Sequence, residues 1–207
     1  MENEVEVQKV IIVGDEQVGK TTLVKQAFTG IFNGNYIMTI GVDHYTKDFK
    51  VRDDGVSLVV WDIAGQERFS FLRPDFYKGA RIGIVAFDLT RMDTFKHLDS
   101  WYEEINHAVG DIPTLLVGTK ADLKERRVVG KRKAIDYANE RNVDYFETSA
   151  NDNQNVEALF LRVTHLALYE SHNRKVPKSL KNYTKLYQTE ILPKLTGGYQ
   201  FSSLLFK

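Results

Sequence analysis

The sequence predicts a three-layer α/β domain: a mostly parallel six-stranded sheet with one antiparallel edge strand and helices on both faces. Three observations predict it. Short β-branched runs alternate with longer amphipathic stretches, the pattern of βα units. Two strand candidates follow each other without a helix, and Asp53-Asp54-Gly55 lies between them as a tight-turn signal for a hairpin. Gly14-Asp15-Glu16-Gln17-Val18-Gly19-Lys20-Thr21 follows the first apolar run directly and opens a helical stretch.

The strand candidates are Val7–Val13, Val42–Val51, Leu58–Ile63, Ile82–Asp88, Thr114–Gly118 and Asp144–Glu147. A helix is expected after the first of them, over Thr22–Phe28. Phe95, Leu98, Tyr102, Ile105 and Val109 recur at helical spacing, as do Val156, Leu159, Phe160, Val163 and Ala167. Lys133–Glu140 is a weaker helical stretch. The second and third strands form the hairpin, which adds the antiparallel edge to an otherwise parallel sheet. Ligands of such sheets bind at the carboxyl ends of the strands.

Composition excludes several classes. The 207 residues carry 28 basic and 28 acidic side chains, a balance that does not point to nucleic acid. There is no cysteine, hence no disulfide, no thiolate zinc site and no cysteine nucleophile. The start Met1-Glu2-Asn3-Glu4 is acidic and polar rather than a secretory signal, and no apolar run reaches the ~18 residues of a membrane span. A cytoplasmic protein is expected. The charge is uneven: residues 172–207 hold seven Lys/Arg against the single acid Glu190. That break divides a globular domain, 1–171, from a basic C-terminal extension, 172–207.

The chemistry sits at the strand ends. A Gly-x-x-x-x-Gly-Lys-Thr loop between strand and helix turns its backbone N–H groups around a phosphate chain. Lys20 reaches the outer phosphates and the Thr21 hydroxyl ligates Mg²⁺, with the helix N-terminus favouring the same anion. The class is therefore a phosphate-loop nucleoside triphosphatase fold. The third strand ends Val60-Trp61-Asp62-Ile63-Ala64-Gly65-Gln66. Asp62 is placed to hold Mg²⁺ from the side opposite Thr21. Gly65 permits close backbone approach to a terminal phosphate. Gln66, both donor and acceptor, suits the orientation of an attacking water. The fifth strand ends in Thr119-Lys120-Ala121-Asp122 and the sixth in Glu147-Thr148-Ser149-Ala150. The Asp122 carboxylate can accept from the N1–H and 2-amino group of guanine. Adenine offers no such pair, and the loss costs on the order of 1–3 kcal/mol.

Together and in this order these motifs resemble the Ras superfamily of small GTPases, and most closely its Rab branch. Thr39-Ile40-Gly41-Val42-Asp43, Trp61–Phe69 and Tyr77-Lys78-Gly79-Ala80 extend the match, which covers roughly residues 7–171. The resemblance implies a GTP-dependent switch that binds GTP or GDP with Mg²⁺ and hydrolyses GTP. Its implied catalytic set is Gln66, Lys20, Thr39 and Gly65. Thr21, Thr39 and Asp62 are the implied metal set, Thr39 closing over Mg²⁺ only in the GTP state. Glu16, Gln17, Val18, Gly19, Lys20, Thr21 and Thr22 line the implied phosphate site, together with Tyr36 and Gly65. Phe32 packs on the guanine, Lys120 lies along base and ribose, the Ala150 N–H meets the guanine O6, and Ser149 steadies Asp122 beside Thr119. Residues 33–41 and 64–78 correspond to the two switches. Effectors, an exchange factor and an activating protein would read them.

The sequence departs from the family pattern in several places. Thr119 stands where most relatives have Asn, Leu72-Arg73-Pro74 is Rho-like, and His44 replaces a common Phe. His97, His107 and His165 read as helix-surface residues. Glu16-Gln17 inside the phosphate loop is the largest departure. A carboxylate about 5 Å from a phosphate charge is repelled by roughly 3 kcal/mol at an effective dielectric of ~20, unless it swings toward solvent. There it would stand where an activating protein inserts an arginine, a group worth roughly 10³–10⁵ in rate. Slow intrinsic hydrolysis follows, or, as an alternative, a hydrolysis-impaired GTP-bound scaffold. A metabolic phosphate-loop kinase would need an arginine-bearing lid, and the guanine motifs argue against it.

The family's prenylated cysteines have no counterpart in Gly197–Lys207, so membrane contact is expected only as a peripheral one through the basic tail. Leu180, Tyr183, Leu186, Tyr187 and Ile191 share a helical face, and Phe201, Leu204, Leu205 and Phe206 end the chain as an apolar cluster. Disorder, a docked helix and a membrane-bound helix are the readings of this tail.

Overall fold

A computed structural model describes residues 6–32, 38–51 and 54–171. Tyr36, most of the first switch, residues 52–53 of the hairpin and the whole tail from residue 172 lie outside the described residues. The elements run β1 (Glu6–Val13), α1 (Lys20–Thr29), β2 (Val42–Val51), β3 (Asp54–Ile63), α2 (Arg73–Tyr77), β4 (Ile82–Asp88), α3 (Met92–Lys96), α4 (Leu98–Val109), β5 (Thr114–Thr119), α5 (Lys131–Arg141), β6 (Asp144–Glu147) and α6 (Val156–Ser171).

All six strands join one sheet in the order β2-β3-β1-β4-β5-β6, with β2 antiparallel to β3 and the other pairs parallel. Strand alternation sorts the core into two layers. Val10, Ile12, Val60, Ile84 and Val117 face α1 and α6, meeting Leu23, Val24, Phe160 and Val163. Ile11, Val13, Val85, Phe87 and Leu116 face the opposite way, meeting Tyr77, Leu98, Trp101, Ile105 and Ala134. The expected three layers are therefore present. The order reverses at β1, with β3 on one side and β4 on the other, so the crevice at the carboxyl end of β1 is the topological switch point.

The structure corrects local expectations. Val51 pairs with Asp54, so the hairpin connection is residues 52–53, and Gly55 pairs with Lys50 inside the ladder. The expected Asp53-Asp54-Gly55 turn is thus shifted by the register, and β3 starts at Asp54 rather than Leu58. The single helix expected around Phe95–Val109 divides at His97, whose ψ of −2° leaves the helical value. Helix α2 carried no periodic signal, because five residues are too few to show one.

Candidate functional site

One cleft of about 530 Å³ opens at the switch point, within the range of small-ligand sites. It is lined by the phosphate loop and by the ends of the strands that the sequence singled out. Glu16, Gln17, Gly19, Lys20, Thr21 and Thr22 form its floor. Gly65 and Gln66 close one side, and Thr119, Lys120, Asp122 and Ala150 the other, with Phe32 and Thr39 at the rim. Tyr36 alone of the expected set lies outside the described residues.

The loop conformation follows from its glycines and from ties to the sheet. Gly14 has φ +136°, and a Cβ there would stand 2.1 Å from the Ala86 carbonyl oxygen, so no other residue fits. Gln17 adopts φ +62°, a left-handed conformation uncommon outside glycine. Its carbonyl accepts from Lys120 Nζ at 3.0 Å, and the Glu16 carbonyl accepts from Arg91 Nη1 at 3.0 Å. The Thr119 hydroxyl lies 2.5 Å from the Val18 carbonyl and 3.0 Å from that of Phe87. Thr119 therefore bridges the phosphate loop, β4 and β5. Both side chains of Glu16 and Gln17 are exposed.

Lys20 is 6 % exposed, and its ammonium donates to the Gly14 and Asp15 carbonyls at 2.7 and 2.8 Å. Burial pushes it down to about 8, against the upward pull of Asp62, Asp15 and Glu16. Asp62 is fully buried, and burial raises its carboxyl, opposed by the Thr21 hydrogen bond and by Lys20. The Thr21 hydroxyl donates to Asp62 Oδ2. Thr39 Oγ1 lies 2.8 Å from Thr21 Oγ1 and 3.5 Å from Asp62 Oδ2. The other carboxylate oxygen, Oδ1, is buried without a hydrogen-bond partner among the described residues. Two hydroxyls and a carboxylate converge, with one acceptor left over. That set fits Mg²⁺, a small hard cation that takes oxygen ligands and keeps several waters.

At the opposite end of the cleft, the end of β5 and the segments that follow β5 and β6 are tied together by Thr148 N–H to the Gly118 carbonyl (2.8 Å) and Ala121 N–H to the Thr148 carbonyl (3.0 Å). This brings Asp122 and Ala150 to the same wall. Lys120 Nζ also pairs with the buried Asp88, at 2.6 Å. Ser149 is buried beside this wall. Its hydroxyl accepts from the Asp152 N–H at 3.1 Å, because a backbone bridge to Gln154 draws the residue into the following turn.

Several contributors escaped the sequence reading. Asp15 is held by the Trp101 indole N–H and by His97 Nδ1, each at 2.7 Å, which ties the phosphate loop to α4. Arg91 braces Glu16 as above. Thr148 and Asn151 line the cleft. Asp15 and Thr148 stand inside motifs already singled out, whereas Arg91, His97 and Trp101 belong to no local motif, and only long-range packing brings those three to the loop. His165 is also corrected: it is mostly enclosed rather than on the surface, and burial together with Arg162 pushes it down to about 4. His44 is exposed and packs edge-on against Trp61, with ring centroids 4.2 Å apart.

The sequence model of the Ras family matches residues 9–169. The Ras-related protein Rab7 of Vigna aconitifolia is 40% identical over 176 residues, covering 81% of this chain and 85% of its own length. The Ras-related protein RABG3b of Arabidopsis thaliana is 39% identical over 176 residues, covering 81% of this chain and 87% of its own. The phosphate loop, with Thr21 bonded to the buried Asp62, and the ends of β5 and β6 meet at one cleft. With these relatives spanning nearly the whole described domain, the chain belongs to the Rab branch of the Ras superfamily of small GTPases, GTP-binding switch proteins.

Proposed function

We propose that the protein is a Mg²⁺-dependent GTP switch whose segments 33–41 and 64–78 present an effector surface in the GTP state. The observation that carries this reading is the convergence of Thr21, Thr39 and Asp62, which joins the phosphate loop to the first switch. Thr21, Thr39 and Asp62 would hold the cation, which when bound neutralises charge developing on the phosphates. The Lys20 ammonium, buried and already hydrogen-bonded toward the loop, supplies fixed positive charge to the outer phosphates. Gln66 orients a water for attack on the γ-phosphorus. The bond from that phosphorus to the β–γ bridging oxygen breaks, leaving GDP and inorganic phosphate. The loss of the γ-phosphate removes what holds Thr39 and Gly65, and the switches relax. Asp122 and Ala150 select guanine, with Phe32 and Lys120 flanking the base.

Effectors, an exchange factor and an activating protein are the partners of the switch surface. The domain is read as 1–171, and the basic segment 172–207 as an extension through which a peripheral membrane contact is made, supported by its charge excess. No helix among the described residues is long and apolar enough to cross a membrane.

A second reading rests on Glu16, whose exposed side chain lines the cleft. In that reading hydrolysis is impaired and the protein persists as a GTP-bound scaffold. Chromatographic identification of the nucleotide that co-purifies with the protein, followed by single-turnover hydrolysis, tests both. Bound GDP with measurable turnover is the expected result. Bound GTP without turnover supports the scaffold, and tight ATP binding overturns the base assignment.

A further inference from the structure

Arg73 stands outside the cleft and takes no part in the chemistry above, yet it is among the most constrained cations of the domain. It is 3 % exposed. Its Nε and Nη2 donate to the two carboxylate oxygens of Glu104 at 2.7 and 2.8 Å, and the Tyr77 hydroxyl donates to the same carboxylate at 2.7 Å. The guanidinium lies 4.5 Å from the centre of the Trp101 ring. The remaining nitrogen, Nη1, donates to the backbone carbonyl of Gln66 at 3.1 Å. Trp101 in turn donates to Asp15 of the phosphate loop at 2.7 Å.

Helix α4 therefore carries two anchors one turn apart. Trp101 fixes the loop that receives the phosphates, and Glu104, through Arg73, fixes the main chain of the glutamine. We propose that Arg73 is a positioning residue for GTP hydrolysis: it fastens Gln66 to α4, so that the glutamine amide is set against the phosphate loop held by the same helix. This rests on the reading in which Gln66 orients the attacking water. A bidentate guanidinium–carboxylate pair fixes both distance and plane, which a lysine cannot do. Stacking on Trp101 adds a second restraint on the plane. Because Arg73 is buried, removing Glu104 leaves its charge uncompensated, so the contact resists partial opening. A displacement of about 1 Å at the reacting group lowers rates by as much as ~100-fold. Arg73 acts on Gln66 through its backbone, while the side-chain Oε1 of Gln66 accepts from Arg68 Nε at 2.7 Å.

The test is single-turnover hydrolysis at saturating GTP, with GTP and GDP affinities measured alongside. Arg73→Lys and Glu104→Gln are each expected to slow the parent about tenfold or more, with affinities unchanged within about twofold. In a Gln66→Ala background Arg73→Lys is expected to cause no further slowing, because its effect passes through the glutamine. An undiminished rate in either folded variant overturns the proposal. So does an equal slowing in the Gln66→Ala background, or a loss that falls on affinity instead of rate. Should Arg73→Lys fail to fold, Glu104→Gln, which keeps the shape of the partner, is combined with Gln66→Ala and decides in its place. A parent protein that binds GTP but never hydrolyses it defeats the proposed function rather than this assignment.

Discussion

Gly65 packs so tightly on Gly14 that a Cβ at position 65 would stand 2.2 Å from the Gly14 carbonyl oxygen, with Asp15 C at 2.5 Å and Glu16 N at 2.6 Å. The start of the second switch is thus laid directly on the backbone of the phosphate loop. All three neighbours are main-chain atoms, which have no rotamer to escape into. Gly65→Ala forces the two segments apart. The expected result is a loss of about 2 kcal/mol or more in stability, or an equivalent loss in GTP affinity. Thermal denaturation and GTP titration check it, and a variant with both unchanged would show that the segments separate freely.

Asp62 sets the balance of charge at the phosphate end. Its buried carboxylate faces Lys20 and the Thr21 hydroxyl, and its unpaired Oδ1 is the acceptor a hydrated cation would satisfy. Asp62→Asn keeps the shape and removes the charge. GDP affinity in Mg²⁺ should fall by about tenfold or more, as expected for loss of a cation ligand or its water. With chelator present the variant should bind GDP as well as the parent or better, since a negative charge has been taken from beside the phosphates. An equal loss with and without Mg²⁺ would remove the metal role.

Base selection is assigned to Asp122, which lines the cleft beside Lys120 and Ala150. Xanthine carries a carbonyl where guanine carries its 2-amino group. An amide at position 122 can accept from N1–H and donate to that carbonyl, whereas the carboxylate would be repelled by it. Asp122→Asn should weaken GDP binding by roughly 10- to 100-fold, about 1–3 kcal/mol, and strengthen binding of xanthosine diphosphate. Competition between the two nucleotides measures the exchange directly.

Glu16 lines the cleft with an exposed side chain, so solvent screens much of its repulsion on a phosphate. Glu16→Gly should therefore raise the intrinsic single-turnover rate by less than about tenfold. It should have a larger effect on stimulation by an activating protein that inserts an arginine. Equal rates for variant and parent, alone and with an activator, would show that the carboxylate plays no part.

The parts of the site legible in the sequence are those in which one short segment does the chemistry. Gly14, Lys20 and Thr21 could be read because a phosphate loop constrains backbone and side chain together. Asp62, Gln66 and Asp122 could be singled out because each lies at or within three residues of the end of a strand with a strong apolar pattern. The ties among segments were not legible. Arg73 stands in the sequence only as part of the Rho-like Leu72-Arg73-Pro74, and its ties run to Glu104 and Trp101 about thirty residues away. Asp15 is an unassigned position of the phosphate-loop motif in the sequence, and Trp101 and His97 reach it from distant segments. The hairpin shows the same limit: the ladder register, not the turn composition, places the connection at residues 52–53.

His165 makes the difference between pattern and packing measurable. Helical spacing places it beside the apolar stripe of α6, and the fold encloses it with Arg162 nearby, which together push its pKa down to about 4. An unfolded histidine titrates near 6.5. Above that pH neither state binds the proton, and stability is unaffected. As pH falls from about 6.5 to about 4, the unfolded chain takes up a proton that the folded chain refuses, so stability is lost by about 1.4 kcal/mol per unit. Below about 4 both states are protonated and the loss levels off. His165→Leu removes this titration while keeping an apolar side chain on α6. Urea unfolding at saturating GDP, run at pH 7 and pH 5, should show the parent losing about 2 kcal/mol more than the variant. Equal losses would mean that water reaches the imidazole in the folded state.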